Sequence, residues 1–142
     1  MKAFSLTAIL ALLAGCNGIP LPEYNYRGAV PESGSVNAAM LTDFAVSLAR
    51  EAGLRVVDES KPTGNKRIDE TLAIYLRPEA NEKVYVTVMA HLPSRTLFLT
   101  VSGNIESPVA KEIVQVAEAL YEKKYVGSRL TAFTRYQGLL GP

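Results

Sequence analysis

Cysteine and histidine each occur once in this chain, and tryptophan does not occur at all. A single cysteine excludes an internal disulfide, a cysteine-based zinc site and a Cys-x-x-Cys redox pair. An excess of charge of either sign is also missing. Fifteen Lys and Arg face fourteen Asp and Glu, leaving +1 over 142 residues. A chain so balanced has no net field to steer it onto nucleic acid or an anionic lipid surface. Apolar residues are 48% and charged residues 20%, a globular composition sufficient for one domain.

Lys2 gives the N-terminus a positive charge, and Phe4 to Leu13 is an apolar run broken only by Ser5 and Thr7. A bilayer span needs about 20 apolar residues, so this run is too short to serve as one. Its size suits the apolar region of a secretory signal peptide. It ends in Leu13-Ala14-Gly15-Cys16, with two small residues before the only thiol.

These four residues resemble the lipobox of bacterial lipoproteins. The resemblance implies cleavage before Cys16, transfer of diacylglycerol to its sulfur and acylation of the new amine. Residues 1–15 are then the signal peptide. Each buried CH₂ contributes about 0.8 kcal/mol, so several acyl chains anchor a protein essentially permanently. Asn17 follows, where the enterobacterial sorting rule uses Asp for inner-membrane retention. By that rule the chain resembles an outer-membrane lipoprotein facing the periplasm. A secreted protein with a chance Cys at its cleavage site is the alternative. The resemblance covers sixteen residues and implies nothing about the domain beyond them.

Residues 16–34 read as the lipidated Cys and a flexible tether. Gly18, Pro20, Pro22, Gly28, Pro31 and Gly34 punctuate them too densely for a helix or strand period. Tyr24, Tyr26 and Val30 are unusual for a spacer, and packing along the domain surface accounts for them better than docking to a partner.

The domain is expected over residues 35–127. Val36 to Ala52 carries Val36, Met40, Phe44 and Leu48 at helical spacing, with Ser33 or Ser35 as cap and Gly53 as stop. Leu54 to Asp58 reads as a strand, and Glu59 to Asp69 as a polar loop. Period-two alternation then predicts strands over Thr71 to Arg77, Lys83 to Leu92 and Arg95 to Ser102. Ser107-Pro108 opens a second helix with Val109, Ile113, Val116, Ala117 and Leu120 as its apolar stripe. The order αββββα predicts an α+β two-layer sandwich, with an antiparallel sheet of about four strands and both helices on one face. Residues 128–142 form an apolar-dotted tail that packs on the domain or stays partly disordered.

The other face of that sheet is the candidate binding surface. Tyr75, Tyr85, Met89, His91 and Phe98 fall on it, among Ala73, Thr87, Thr96 and Thr100. A fully solvated face would carry more Lys and Glu, so a cover is expected. The chain's own tail and a partner surface remain equal alternatives, and a small-molecule pocket ranks below them. Tyr, Phe and Met are interface-enriched residue types.

No catalytic, metal or cofactor site is expected. His91 could act as a base on Ser94, but no Gly-x-Ser-x-Gly elbow presents a serine and no orienting carboxylate stands out. The acids Asp58, Glu59, Asp69 and Glu70 flank a loop, where such groups are normally solvated. Pro62 to Arg67 lacks the spacing of a phosphate loop. The expectation is a non-enzymatic envelope lipoprotein, an assembly or scaffold subunit whose partner is another envelope protein or a second copy. An immunity or inhibitor lipoprotein against a secreted toxin is the alternative, with a periplasmic hydrolase last.

Overall fold

The computed structural model describes residues 22–80 and 82–134, so the lipobox, Cys16 and the end of the tail lie outside the described residues. The elements are β1 (Glu23–Ala29), α1 (Ala38–Ala52), β2 (Leu54–Glu59), α2 (Lys66–Asp69), β3 (Thr71–Pro78), β4 (Val84–His91), β5 (Thr96–Gly103), α3 (Pro108–Lys124) and β6 (Thr131–Ala132). One antiparallel six-stranded sheet has the order β2-β3-β4-β5-β1-β6. The chain is therefore a mixed α+β protein with one antiparallel sheet. The expected four strands and two helices become six and three.

The largest departure is β1. The segment read as tether supplies a seven-residue strand between β5 and β6, paired from Glu23↔Ser102 to Ala29↔Thr96. Its alternation is real: Tyr24 and Tyr26 pack against the core and Val30 is buried within it. Gly28 interrupts the pattern because Tyr121 lies against that position. A Cβ there would stand 2.5 Å from the Tyr121 ring and hydroxyl.

Asn37, rather than Ser33 or Ser35, caps α1, its side chain accepting from the Met40 amide at 2.9 Å. Val36 stays outside the helix yet packs on the core, in the position of a hydrophobic staple. Gly53 ends α1 at φ 66°, in the left-handed region where a Cβ is penalised. Ser107 caps α3 with Pro108 in its first turn. The buried stripe of α3 is rotated from expectation: Ala110, Ile113, Val114, Ala117 and Tyr121 are buried, while Val109, Val116 and Leu120 pack at its margin. The polar loop contains α2, a single turn capped by Asn65. Asp69 accepts from the Thr63 amide and hydroxyl, each at 2.8 Å, and from the Gly64 amide at 3.0 Å.

The core lies between α1, α3 and the aliphatic sheet face. Val84, Val88, Ala90, Leu97, Leu99 and Val101 are completely buried there, with Phe44, Leu48 and Ile113 from the helices. Tyr121 donates a hydrogen bond to the Ala29 carbonyl, joining α3 to β1. Arg95, at φ 52°, returns its guanidinium to the Pro31 carbonyl at 2.7 Å and to the Gly34 carbonyl, clamping the β1–α1 connection.

Candidate interaction surface

Burying the aliphatic residues of β3, β4 and β5 turns every intervening side chain to the other face. Cross-strand partners point to the same side, so the ladder defines the surface row by row. Asp58, Tyr75, Thr87, Thr100 and Asn25 form one row across five strands. Ala73, Met89, Phe98 and Arg27 form the next. The fold thus brings Tyr75, Tyr85, Met89 and Phe98 to one surface. Tyr75 is 45% exposed and Tyr85 40%, high values for large aromatic side chains.

Polar neighbours hold this surface in place. Arg77 lies over the Tyr85 ring, 4.3 Å from its centroid, an arrangement that orients both side chains. Asn25 is buried, its amide nitrogen donating to Glu23 at 3.1 Å and its oxygen accepting from Thr100 at 2.8 Å. The hydroxyls of Thr100 and Thr96 are hydrogen-bonded within the face, to Asn25 and to the Ser94 carbonyl.

The described part of the tail packs at one corner. Leu130 is buried in the core cluster. Phe133 packs edge-on against Phe98 with ring centroids 6.0 Å apart, beneath the Arg27 guanidinium at 5.4 Å. Its amide donates to the Asn25 carbonyl at 2.9 Å, one step beyond the β1–β6 pairs. The ring contact of the described tail falls on Phe98, while Tyr75 and Tyr85 stay exposed. Tyr136, Leu139 and Leu140 lie outside the described residues.

His91 shares the face at the end away from Tyr85, one side-chain step beyond Met89. It sits six residues along β4 from Tyr85, about 20 Å at strand rise. Its Nδ1 lies 2.6 Å from the Ser94 hydroxyl and 3.4 Å from the Ser94 amide. Ser94 in turn donates to Thr96 at 2.9 Å. These contacts staple the turn between β4 and β5, whose last residue is the positive-φ Arg95. No carboxylate bonds the imidazole among the described residues. Nor does any cluster of three His, Cys, Asp or Glu there suit a metal ion. No helix among them is long and apolar enough to cross a membrane.

Arg77, Asn25, Arg27 and Phe133 complete the surface and were not anticipated. Arg77 follows Tyr75 by two and was legible from alternation alone. The β1 residues were hidden by Pro22, Gly28 and Pro31. No protein-family model and no curated protein matches the chain.

Proposed function

We propose that this protein is a non-enzymatic envelope lipoprotein, anchored through lipid on Cys16 to the outer membrane and facing the periplasm. It acts as a docking or assembly subunit, with the outer sheet face as its contact surface for another envelope protein. The observation that carries this reading is the exposed pair Tyr75 and Tyr85, on the same face as Met89. A rigid six-stranded sheet presents these side chains without ordering cost, and Arg77 holds Tyr85 in place. Rigid aromatics with an oriented arginine are the residue types that dominate interface energetics. The role assigned to His91 is structural, since its bonds serve the turn.

Co-purification from detergent-solubilised envelopes tests the proposal. Tyr85→Glu removes the partner recovered with wild type while leaving the unfolding midpoint within experimental error. Identical partner sets for the two proteins overturn the assignment of this face.

A further inference from the structure

The corner of the outer face beneath the β4–β5 turn is hollowed. An open depression of about 620 Å³ lies between β1, the start of β5 and the segment leading into β6. Gly28 and Ala29 are among its lining, so little side-chain bulk fills it. Arg27 and Arg129 line it together with the hydroxyls of Ser94, Thr96, Ser128 and Thr131. Among the described residues no carboxylate lines it.

The two guanidinium groups differ in how they are held. Arg27 is poised over the Phe133 ring, and no carboxylate pairs with it among the described residues. Arg129 has Glu122 at 3.6 Å from Nε, with both side chains largely exposed. An exposed pair at that separation contributes little and yields readily to a better partner. The Ser94 and Thr96 hydroxyls are ordered rather than free: Ser94 is fixed by His91, and Thr96 donates to the Ser94 carbonyl at 3.1 Å. The chain carries only +1 overall, so two arginines on one carboxylate-free hollow are a local arrangement, not a reflection of a basic protein.

We propose that this hollow binds a phosphate-type oxyanion, with Arg27 and Arg129 as the charged clamp, the Ser128 and Thr131 hydroxyls as neutral donors, and the mutually bonded Ser94 and Thr96 as its wall. The guanidinium fork matches paired phosphate oxygens, and charge-assisted bonds of this kind are about twice as strong as neutral ones. The phosphate can be free or part of a lipid headgroup. The hollow shares Arg27 and Phe98 with the outer face but uses neither Tyr75 nor Tyr85, so different variants test the two assignments.

Titration of the full chain in neutral detergent, followed by NMR of arginine Nε–H and backbone amide signals, tests it. One arm uses inorganic phosphate and a second uses glycerophosphoglycerol, the soluble headgroup of an anionic phospholipid. Saturable shifts at Arg27, Arg129, Ser128 and Thr131 are expected in at least one arm, and the stronger arm identifies the source. Arg27→Gln and Arg129→Gln each weaken binding by about tenfold or more, the loss of one charge-assisted contact. Lys123→Gln, an equal charge change on α3 outside the hollow, leaves the affinity unchanged. Absence of saturable shifts in both arms overturns the proposal, as does an equal loss on Lys123→Gln. The co-purification test of Tyr85→Glu reads neither of these signals, so each proposal fails separately.

Discussion

Gly28 and Tyr121 stand 93 positions apart and occupy one another's space. The tyrosine ring fills the place a β-carbon at Gly28 would take, and its hydroxyl donates to the carbonyl of the adjacent Ala29. Tyr121 is completely buried. This contact explains why a glycine stands within a strand, and it ties α3 to the first strand of the described residues. Burial raises the Tyr121 phenol above its ordinary pKa, with the neighbouring Tyr125 adding to the effect.

Gly28→Ala destabilises the fold by about 1–3 kcal/mol, because overpacking forces Tyr121 or β1 to shift. Tyr121→Phe costs about 1 kcal/mol through the lost hydrogen bond. The combined variant costs less than the sum of the two, since removing the hydroxyl vacates part of the clash. Urea midpoints at constant slope measure all three.

A chain beginning at Ser33 does not unfold in a single cooperative transition. The tether reading predicts that it folds alone, but such a chain lacks β1 and leaves β5 with an open edge and β6 with no strand to pair. Near-UV circular dichroism on heating distinguishes the outcomes, and a native-like cooperative melt would contradict the importance of β1.

Arg95→Asn isolates the clamp from the backbone. Asparagine tolerates a positive φ, so the turn survives, while the bonds to Pro31 and Gly34 are lost. The expected cost is about 1–3 kcal/mol, with hydrogen exchange accelerating in residues 31–35. Unchanged exchange there would show that the connection is held by other contacts.

Asp69 gives the 63–69 turn an acid limit. Hydrogen bonds from Thr63, then from Gly64, hold its carboxyl below the ordinary aspartate pKa. A depressed folded-state pKa means the contribution is present above the unfolded value and is lost as pH falls through the folded one. The Thr63 and Gly64 amide signals therefore shift at pH values below that of an exposed aspartate. Asp69→Asn abolishes the transition, and a midpoint at the ordinary value would remove the assigned cause.

Cys16→Ser tests the anchor. The expected product is an unprocessed precursor or a soluble periplasmic form, read by membrane fractionation after a high-salt wash. Retention of a processed variant with the membranes would assign the anchoring to something other than lipid.

Local rules were enough for β3, β4, β5, the Gly53 stop, the Ser107-Pro108 start and the aliphatic core face, because period and capping depend on neighbours in sequence. The same alternation puts Tyr75, Tyr85, Met89 and Phe98 on one surface. What local rules could not decide was set by contacts between distant residues. Gly28 reads as a breaker until Tyr121 is brought against it, so β1 was lost to the tether and the sheet was two strands short. The α3 stripe turned toward Tyr121 because that side chain had a pocket at β1. Phe133 settled on Phe98 only after β1 had brought an edge beside β5. The hollow with Arg27 and Arg129 has the same origin: its walls come from strands more than sixty residues apart, and pairing alone makes them neighbours.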